Sequence, residues 1–256
     1  MIQEEIYYNA MVASCELAER DGAHTSFAET RMAEGQFQFD LWNVTPMDTD
    51  RWEELRQRVL RSGVRNSLLI AIAPTATIAS IVGCYECIEP QISNLFKRET
   101  LSGEFLQVNR YLITELKQMG LWNEETRMKL KLAEGSVQGM TELPEKLRLV
   151  YRTVWEVPMR SLIDMAKARN AYIDQSQSLN LFAESPNIGR LSSMYMHAWK
   201  SGLKTTYYLR SRPATKISKT TVAMPARAAV AASISAASAD AVACSLENPG
   251  SCEACQ

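Results

Sequence analysis

The sequence predicts an α/β fold, and two observations carry that expectation. A helix-patterned run ending at Gly63 leads into Ser67-Leu-Leu-Ile-Ala-Ile-Ala73, a short, continuously apolar stretch stopped by Pro74 that suits a strand covered on both faces. Further on, Ser176–Phe182, Asn187–Ser201 and Lys204–Arg210 read in turn as strand, helix and strand, the unit from which parallel sheets are built.

The remaining elements follow from local patterning. Ile2, Ile6, Ala10, Ala13 and Leu17 recur at helical spacing and Asp21-Gly22 supplies a stop, so residues 2–21 form a first helix. Thr45-Pro-Met-Asp-Thr-Asp50 offers a proline turn and acidic capping residues. Trp52, Leu55, Val59 and Leu60 then continue a second helix toward Gly63. Glu104–Gly120, Glu124–Glu134, Leu143–Val157 and Met159–Asn170 each carry apolar residues at helical intervals between Gly- or Pro-marked breaks, which predicts a mainly helical middle block. Leu191, Met194, Tyr195 and Trp199 supply the apolar residues of the helix within the later strand-helix-strand unit. From residue 214 the composition turns to Ala, Ser and Thr, with hardly a large side chain to bury. Residues 214–256 are therefore expected to be a flexible tail with at most a transient helix, following one ordered domain over 1–213.

Composition narrows the functional classes. With 46% hydrophobic and 22% charged residues the chain is of ordinary globular make-up. A net charge of -1, from 28 basic and 29 acidic residues, lacks the basic surplus that tracks a phosphate backbone, so no nucleic-acid partner is expected. The acidic start MIQEEIYYNA and the lack of a bilayer-length apolar run predict a soluble, cytoplasmic protein with no membrane partner. The six cysteines fall as lone Cys15, the pair Cys84/Cys87, lone Cys244 and the pair Cys252/Cys255, an arrangement unlike a secreted disulfide framework. His24 and His197 lie in unrelated contexts and signal neither a catalytic dyad nor a histidine metal site; both are expected to be structural.

Three motifs bear chemistry. Ala73-Pro-Thr-Ala-Thr-Ile-Ala-Ser80 places small and hydroxylated residues at a strand-to-helix turn, where free amides suit a phosphate; an ordinary capped turn is the alternative. Tyr207-Tyr208 puts two phenols side by side in Lys204-Thr-Thr-Tyr-Tyr-Leu-Arg-Ser-Arg212. Alternation in a strand would send one to the core and one to the surface, whereas a redox role would make them consecutive stations. Cys252 and Cys255 form a CxxC at the tip of the tail, which suits thiol-disulfide exchange, with a zinc half-site shared with Cys84 and Cys87 as the alternative. Cys84 itself reads as a small apolar filler, and Cys87 receives no assignment.

Taken together, Leu41-Trp-Asn-Val-Thr-Pro46, Val64-Arg-Asn-Ser-Leu-Leu-Ile70, Pro74-Thr-Ala-Thr77, Ile88-Glu-Pro90, Leu101-Ser-Gly-Glu-Phe105, Ile173-Asp-Gln-Ser-Gln-Ser-Leu-Asn180 and Gly202-Leu-Lys-Thr205 resemble, in order, the C-terminal part of the large subunit of class I ribonucleotide reductases. The resemblance runs from about Glu5 to Pro213, includes the terminal thiol pair, and is nearest in style to the eukaryotic-like branch. It implies the C-terminal half of a ten-stranded α/β barrel in a radical enzyme that reduces ribonucleoside diphosphates to deoxyribonucleoside diphosphates for DNA synthesis. It further implies that Pro74, Thr75, Ala76, Thr77 and Ile78 hold the substrate diphosphate. Tyr207 and Tyr208 match the stacked tyrosines that relay an oxidising equivalent, with Tyr208 nearer the small subunit and Arg212 supporting them. Cys252 and Cys255 match the swinging dithiol that thioredoxin or glutaredoxin re-reduces.

The same resemblance implies that no cofactor is bound by this chain and that a dimetal/tyrosyl-radical centre sits in the small subunit. The family's radical-bearing cysteine, its neighbouring asparagine and glutamate, and its buried cysteine pair have no matching segment here. The expected partners are therefore an N-terminal part of the large subunit, the small subunit, and thioredoxin or glutaredoxin, and the chain alone is expected to be inactive. The competing reading is a non-catalytic fragment that binds and regulates an intact reductase.

Overall fold

A computed structural model describes residues 2–100 and 103–212. The expectations for the tail, including Cys252 and Cys255, concern positions outside the described residues. The architecture is mixed α/β. The chain opens with helix α1 (Ile2–Asp21), two 3-10 turns, a short α2 (Gln38–Leu41) and α3 (Thr49–Ser62), followed by α4 (Ala76–Val82). A hairpin of β1 (Leu95–Thr100) and β2 (Gly103–Val108) leads to α5 (Arg110–Gln118), α6 (Glu124–Leu132), α7 (Glu145–Val150) and α8 (Met159–Asn170). The unit β3 (Leu181–Ala183), α9 (Ile188–Lys200), β4 (Leu209–Ser211) ends it. Strands β3 and β4 pair in parallel, with Leu181 opposite Leu209, Phe182 opposite Arg210 and Ala183 opposite Ser211. The strand-helix-strand reading therefore holds, although both strands are shorter than patterning suggests. No closed barrel is present among the described residues.

The first helix forms where expected but buries a different stripe. Ile2 and Ile6 face solvent at 83% and 48% exposure, while Tyr7, Met11, Cys15 and Ala18 are buried. Both stripes are apolar, so helical period alone could not choose between them; packing against α3 did. Trp52 of α3 is the hub, its ring 5.6 Å from Tyr7, 5.1 Å from Tyr8, 5.2 Å from Phe37 and 4.8 Å from Phe39. The buried Glu4 carboxylate accepts from the Met47 amide at 2.9 Å and from the Trp52 indole N–H at 3.3 Å, so the polar edge of this aromatic core is satisfied. Asp48 caps α3, its side chain accepting from the Arg51 amide, and Gly63 closes the helix at φ 73°. A Cβ at Gly63 would meet the Ala23 Cβ at 2.6 Å, so this turn requires glycine on steric grounds as well as conformational ones.

Three expected elements are corrected, one of them Leu143–Val157, where the α-helix covers only Glu145–Val150 and a separate 3-10 turn follows at Val154–Glu156. Ser67–Ala73 is not a strand covered on both faces: Leu68 is 53% exposed, and pairing is limited to one parallel bridge between Ile72 and Gln177. Residues 175–178 flank one of its edges, and no described strand lies along the other. Residues 104–108 are hairpin rather than helix, and α5 begins at Arg110 because the Asn109 side chain accepts from the amides of Tyr111 and Leu112. Helices α5 to α7 enclose a core of Leu112, Leu116, Leu130, Val137, Leu143 and Leu147, separate from the one beneath β3 and α9 that holds Ile163, Leu179, Leu181 and Met194.

Candidate functional site

Three extended segments lie side by side and bring the distant motifs together. Residues 70–72 run beside 175–178, with the Gln175 amide donating to the Ile70 carbonyl, Ile72 to Ser176, and Ser178 back to Ile72. On the other flank the Tyr207 amide donates to the Leu179 carbonyl and the Leu181 amide to the Tyr208 carbonyl. The segment 175–181 is therefore the shared partner of the extended segment that leads into the 74–78 turn and of the one that carries the tyrosines.

Charged side chains fix this register. The Asp174 carboxylate accepts from the Leu69 and Ile70 amides, both at 2.8 Å, tying an otherwise sparsely paired segment to the central one. The Lys204 ammonium donates to the carbonyls of Ile173, Asp174 and Gln175 at 2.7, 3.2 and 2.6 Å, and Thr205 Oγ1 donates to the Gln177 carbonyl. Burial holds the Lys204 pKa below the usual lysine range. These contacts set the approach of the chain to Tyr207.

The turn is built as the sequence suggests. Thr75 is the N-cap of α4 without a side-chain capping bond, its carbonyl accepts from the Ala79 amide, and Ala76, Thr77 and Ile78 form the first helical turn. Amides of a first turn have no acceptor within their own helix, so Ala76, Thr77 and Ile78 present donors on an exposed surface. Thr75 Oγ1 donates to the Glu86 carbonyl at 3.3 Å, which joins the turn to the loop carrying Cys84 and Cys87. Between turn and loop opens a cleft of about 320 Å³ lined by residues that include Ile72, Thr75, Cys87, Glu89, Ser178 and Asn180.

The cleft has a buried polar wall that the sequence reading left without a role. Glu89 is 5% exposed and accepts from the Asn180 amide at 3.0 Å and from Asn180 Nδ2 at 3.2 Å. Asn180 Nδ2 also donates to Cys87 Sγ at 3.3 Å. Burial, reinforced by the charges of Glu89 and Glu86, pushes the Cys87 thiol up to about 12, so it stays protonated near neutral pH. Cys84 is exposed, which overturns its reading as a core filler. The legible signal for this wall was the alternation of Gln177-Ser-Leu-Asn-Leu181, which turns Ser178 and Asn180 to one face and Leu179 and Leu181 to the other.

Tyr207 and Tyr208 do not part to opposite faces. Their ring centroids are 4.1 Å apart at an interplanar angle of 54°, and the Tyr207 hydroxyl donates to the Tyr208 hydroxyl at 3.3 Å. Both precede β4, where strict alternation does not bind. That hydrogen bond raises the Tyr207 pKa above the ordinary phenol value. The Arg210 guanidinium lies 5.6 Å from the Tyr208 ring centroid, and its charge also reaches Cys87 and Tyr85. Arg212 instead pairs with Glu184 at 2.9 Å and Glu134 at 3.5 Å and covers the Trp155 ring at 4.8 Å. His197, one of the two histidines expected to be structural, lies 3.0 Å from Asp164 and links α9 to α8. Among the described residues, no cluster of three or more His, Cys, Asp or Glu could hold a metal ion, and no helix is long and apolar enough to cross a membrane.

Comparison with known proteins supplies the context for this geometry. A family model described as the ribonucleotide reductase barrel domain matches residues 1–209. The ribonucleoside-diphosphate reductase large subunit of Arabidopsis thaliana is 47% identical over 222 residues, covering 86% of this chain and 27% of that protein. The large chain of Schizosaccharomyces pombe is 40% identical over 280 residues, covering 99% of this chain and 34% of its own length, and the large subunit of Trypanosoma brucei brucei is 47% identical over 86% of this chain. The chain thus spans 27–34% of the length of these relatives.

Proposed function

Because the chain belongs to the ribonucleotide reductase family, as part of its barrel domain, we propose that it supplies the diphosphate turn, the tyrosine relay and the dithiol shuttle of a ribonucleoside-diphosphate reductase. The observation that supports this reading is that Tyr207 and Tyr208, joined hydroxyl to hydroxyl at 3.3 Å, are bonded to the same extended segment that pairs with residues 70–72 just ahead of the 74–78 turn. On this reading a tyrosyl radical on Tyr208 is reduced by Tyr207, which gives up one electron and one proton. Tyr208 regains its O–H bond and the radical passes to Tyr207. The hydroxyl-to-hydroxyl hydrogen bond gives the proton a direct path between the two oxygens, and the Arg210 cation beside Tyr208 disfavours a proton-first step that would leave Tyr208 as a radical cation.

Thr75, Ala76, Thr77 and Ile78, with Pro74 setting the turn, hold the substrate diphosphate through first-turn amides. Cys252 and Cys255 carry reducing equivalents from thioredoxin or glutaredoxin by thiol-disulfide exchange, two thiols becoming one disulfide per substrate reduced. The radical originates in a small subunit bearing the dimetal/tyrosyl-radical centre, and the thiyl-forming cysteine comes from an N-terminal part of the large subunit. Combining this chain with that N-terminal part, the small subunit and thioredoxin is expected to yield deoxyribonucleoside diphosphate. Stable association without any turnover would refute the assignment, and inhibition of an intact reductase by the chain would indicate a regulatory fragment instead.

A further inference from the structure

The polar wall of the cleft contains one group whose bonding is incomplete. Asn180 is 4% exposed, yet its Oδ1 is buried and accepts no hydrogen bond. Its orientation is forced. Both hydrogens of Nδ2 are engaged, one toward Glu89 Oε2 at 3.2 Å and one toward Cys87 Sγ at 3.3 Å, and a carboxylate can only accept. Rotating the amide by half a turn would set Oδ1 against the Glu89 carboxylate. Glu89 and Cys87 therefore hold Oδ1 pointing away from themselves, on a residue that lines the cleft with Thr75 and Ser178.

A buried acceptor left without a donor is costly, on the order of 1–3 kcal/mol, and such groups in folded proteins are normally satisfied by water or by a ligand. The cleft begins at the diphosphate turn, and the part of a nucleotide next to its diphosphate is the ribose, which carries hydroxyl donors. We propose that Asn180 contacts the substrate, its Oδ1 accepting a hydrogen bond from a ribose hydroxyl of the ribonucleoside diphosphate, with Glu89 and Cys87 as the positioning residues that fix the amide. The assignment rests on the diphosphate reading of the 74–78 turn and adds to it a contact beyond the phosphates.

The test compares two ligands in the large subunit assembled from this chain and the rest of its barrel: a ribonucleoside diphosphate, which reaches both turn and wall, and inorganic pyrophosphate, which reaches only the turn. Asn180→Ala is expected to weaken nucleotide binding by about fivefold, the scale of one neutral hydrogen bond, and to leave pyrophosphate binding as it was. Equal weakening of both ligands, or of neither, overturns the proposal while leaving the diphosphate turn standing. If the unmodified subunit binds no pyrophosphate, the turn reading fails and this proposal fails with it. Because Asn180→Ala also removes the side-chain donor to Glu89 and Cys87 and can impair folding, a structure of the unmodified subunit with nucleotide bound gives a second decision. A ribose hydroxyl within about 3.2 Å of Oδ1 supports the contact, and a water or another protein group in that place overturns it.

Discussion

Tyr207 and Tyr208 illustrate how little a residue's neighbours in sequence say about its neighbours in space. Their rings meet because the backbone that carries them is held by the Leu179 carbonyl on one side and the Leu181 amide on the other, just short of regular strand geometry. Removing either hydroxyl keeps that backbone and most of the ring contact while deleting an oxidisable O–H. Tyr207→Phe or Tyr208→Phe is therefore expected to abolish deoxynucleotide formation in the assembled enzyme with diphosphate binding changed less than about twofold, as measured by turnover beside equilibrium binding. Normal turnover by either variant would remove the relay. The two cysteines of the neighbouring loop make an independent prediction. At pH 8 the exposed Cys84 should react with iodoacetamide, while Cys87, with a pKa near 12, offers only about one thiolate in ten thousand and should stay unmodified until the pH is raised. Peptide mass mapping reads both, and early labelling of Cys87 would contradict its place in a buried polar wall.

Among the elements, the 69–72 segment leans on one side chain: beside three backbone hydrogen bonds to residues 175–178, it has two amides held by Asp174. Asp174→Ala is expected to cost about 2–4 kcal/mol, since two charge-assisted hydrogen bonds are lost together, and to raise hydrogen exchange at Leu69 and Ile70 well above that in α3. Unchanged protection at those amides would mean the segment is held by something else. Element boundaries in general were readable where a side chain caps the helix: Asp48 before α3 and Asn187 before α9 each accept from an amide three residues on. They were misread where the decisive residue lies between two patterns, as at Asn109, whose cap starts α5 six residues later than helical period suggests.

At the scale of the whole molecule, the described residues leave apolar side chains uncovered on several faces. Ile78, Ile81, Val82 and Ile88 are 52–80% exposed around α4 and the loop after it, and Ile188 and Trp199 of α9 are exposed at 89% and 71%. Such a cluster beside an open-edged extended segment is rare on a monomer's surface. The isolated chain is expected to self-associate at micromolar concentration and to become monodisperse when the rest of the barrel is added, as followed by sedimentation velocity. A compact, stable monomer without that addition would show that these faces need no cover.

The sequence by itself settled the α/β class, the strand-helix-strand order, most helices and the turn at Thr75, because each element is governed by contacts within a few residues: side-chain period, a capping oxygen, a glycine at positive φ. Only the tertiary structure decided which stripe of α1 is buried, that two successive phenols share a hydrogen bond, that Arg210 rather than Arg212 stands over Tyr208, and that Glu89 and Cys87 fix the amide of Asn180. Those outcomes depend on partners many positions away, 91 for Glu89 and Asn180, and local pattern carries no term for a neighbour that arrives from so far along the chain.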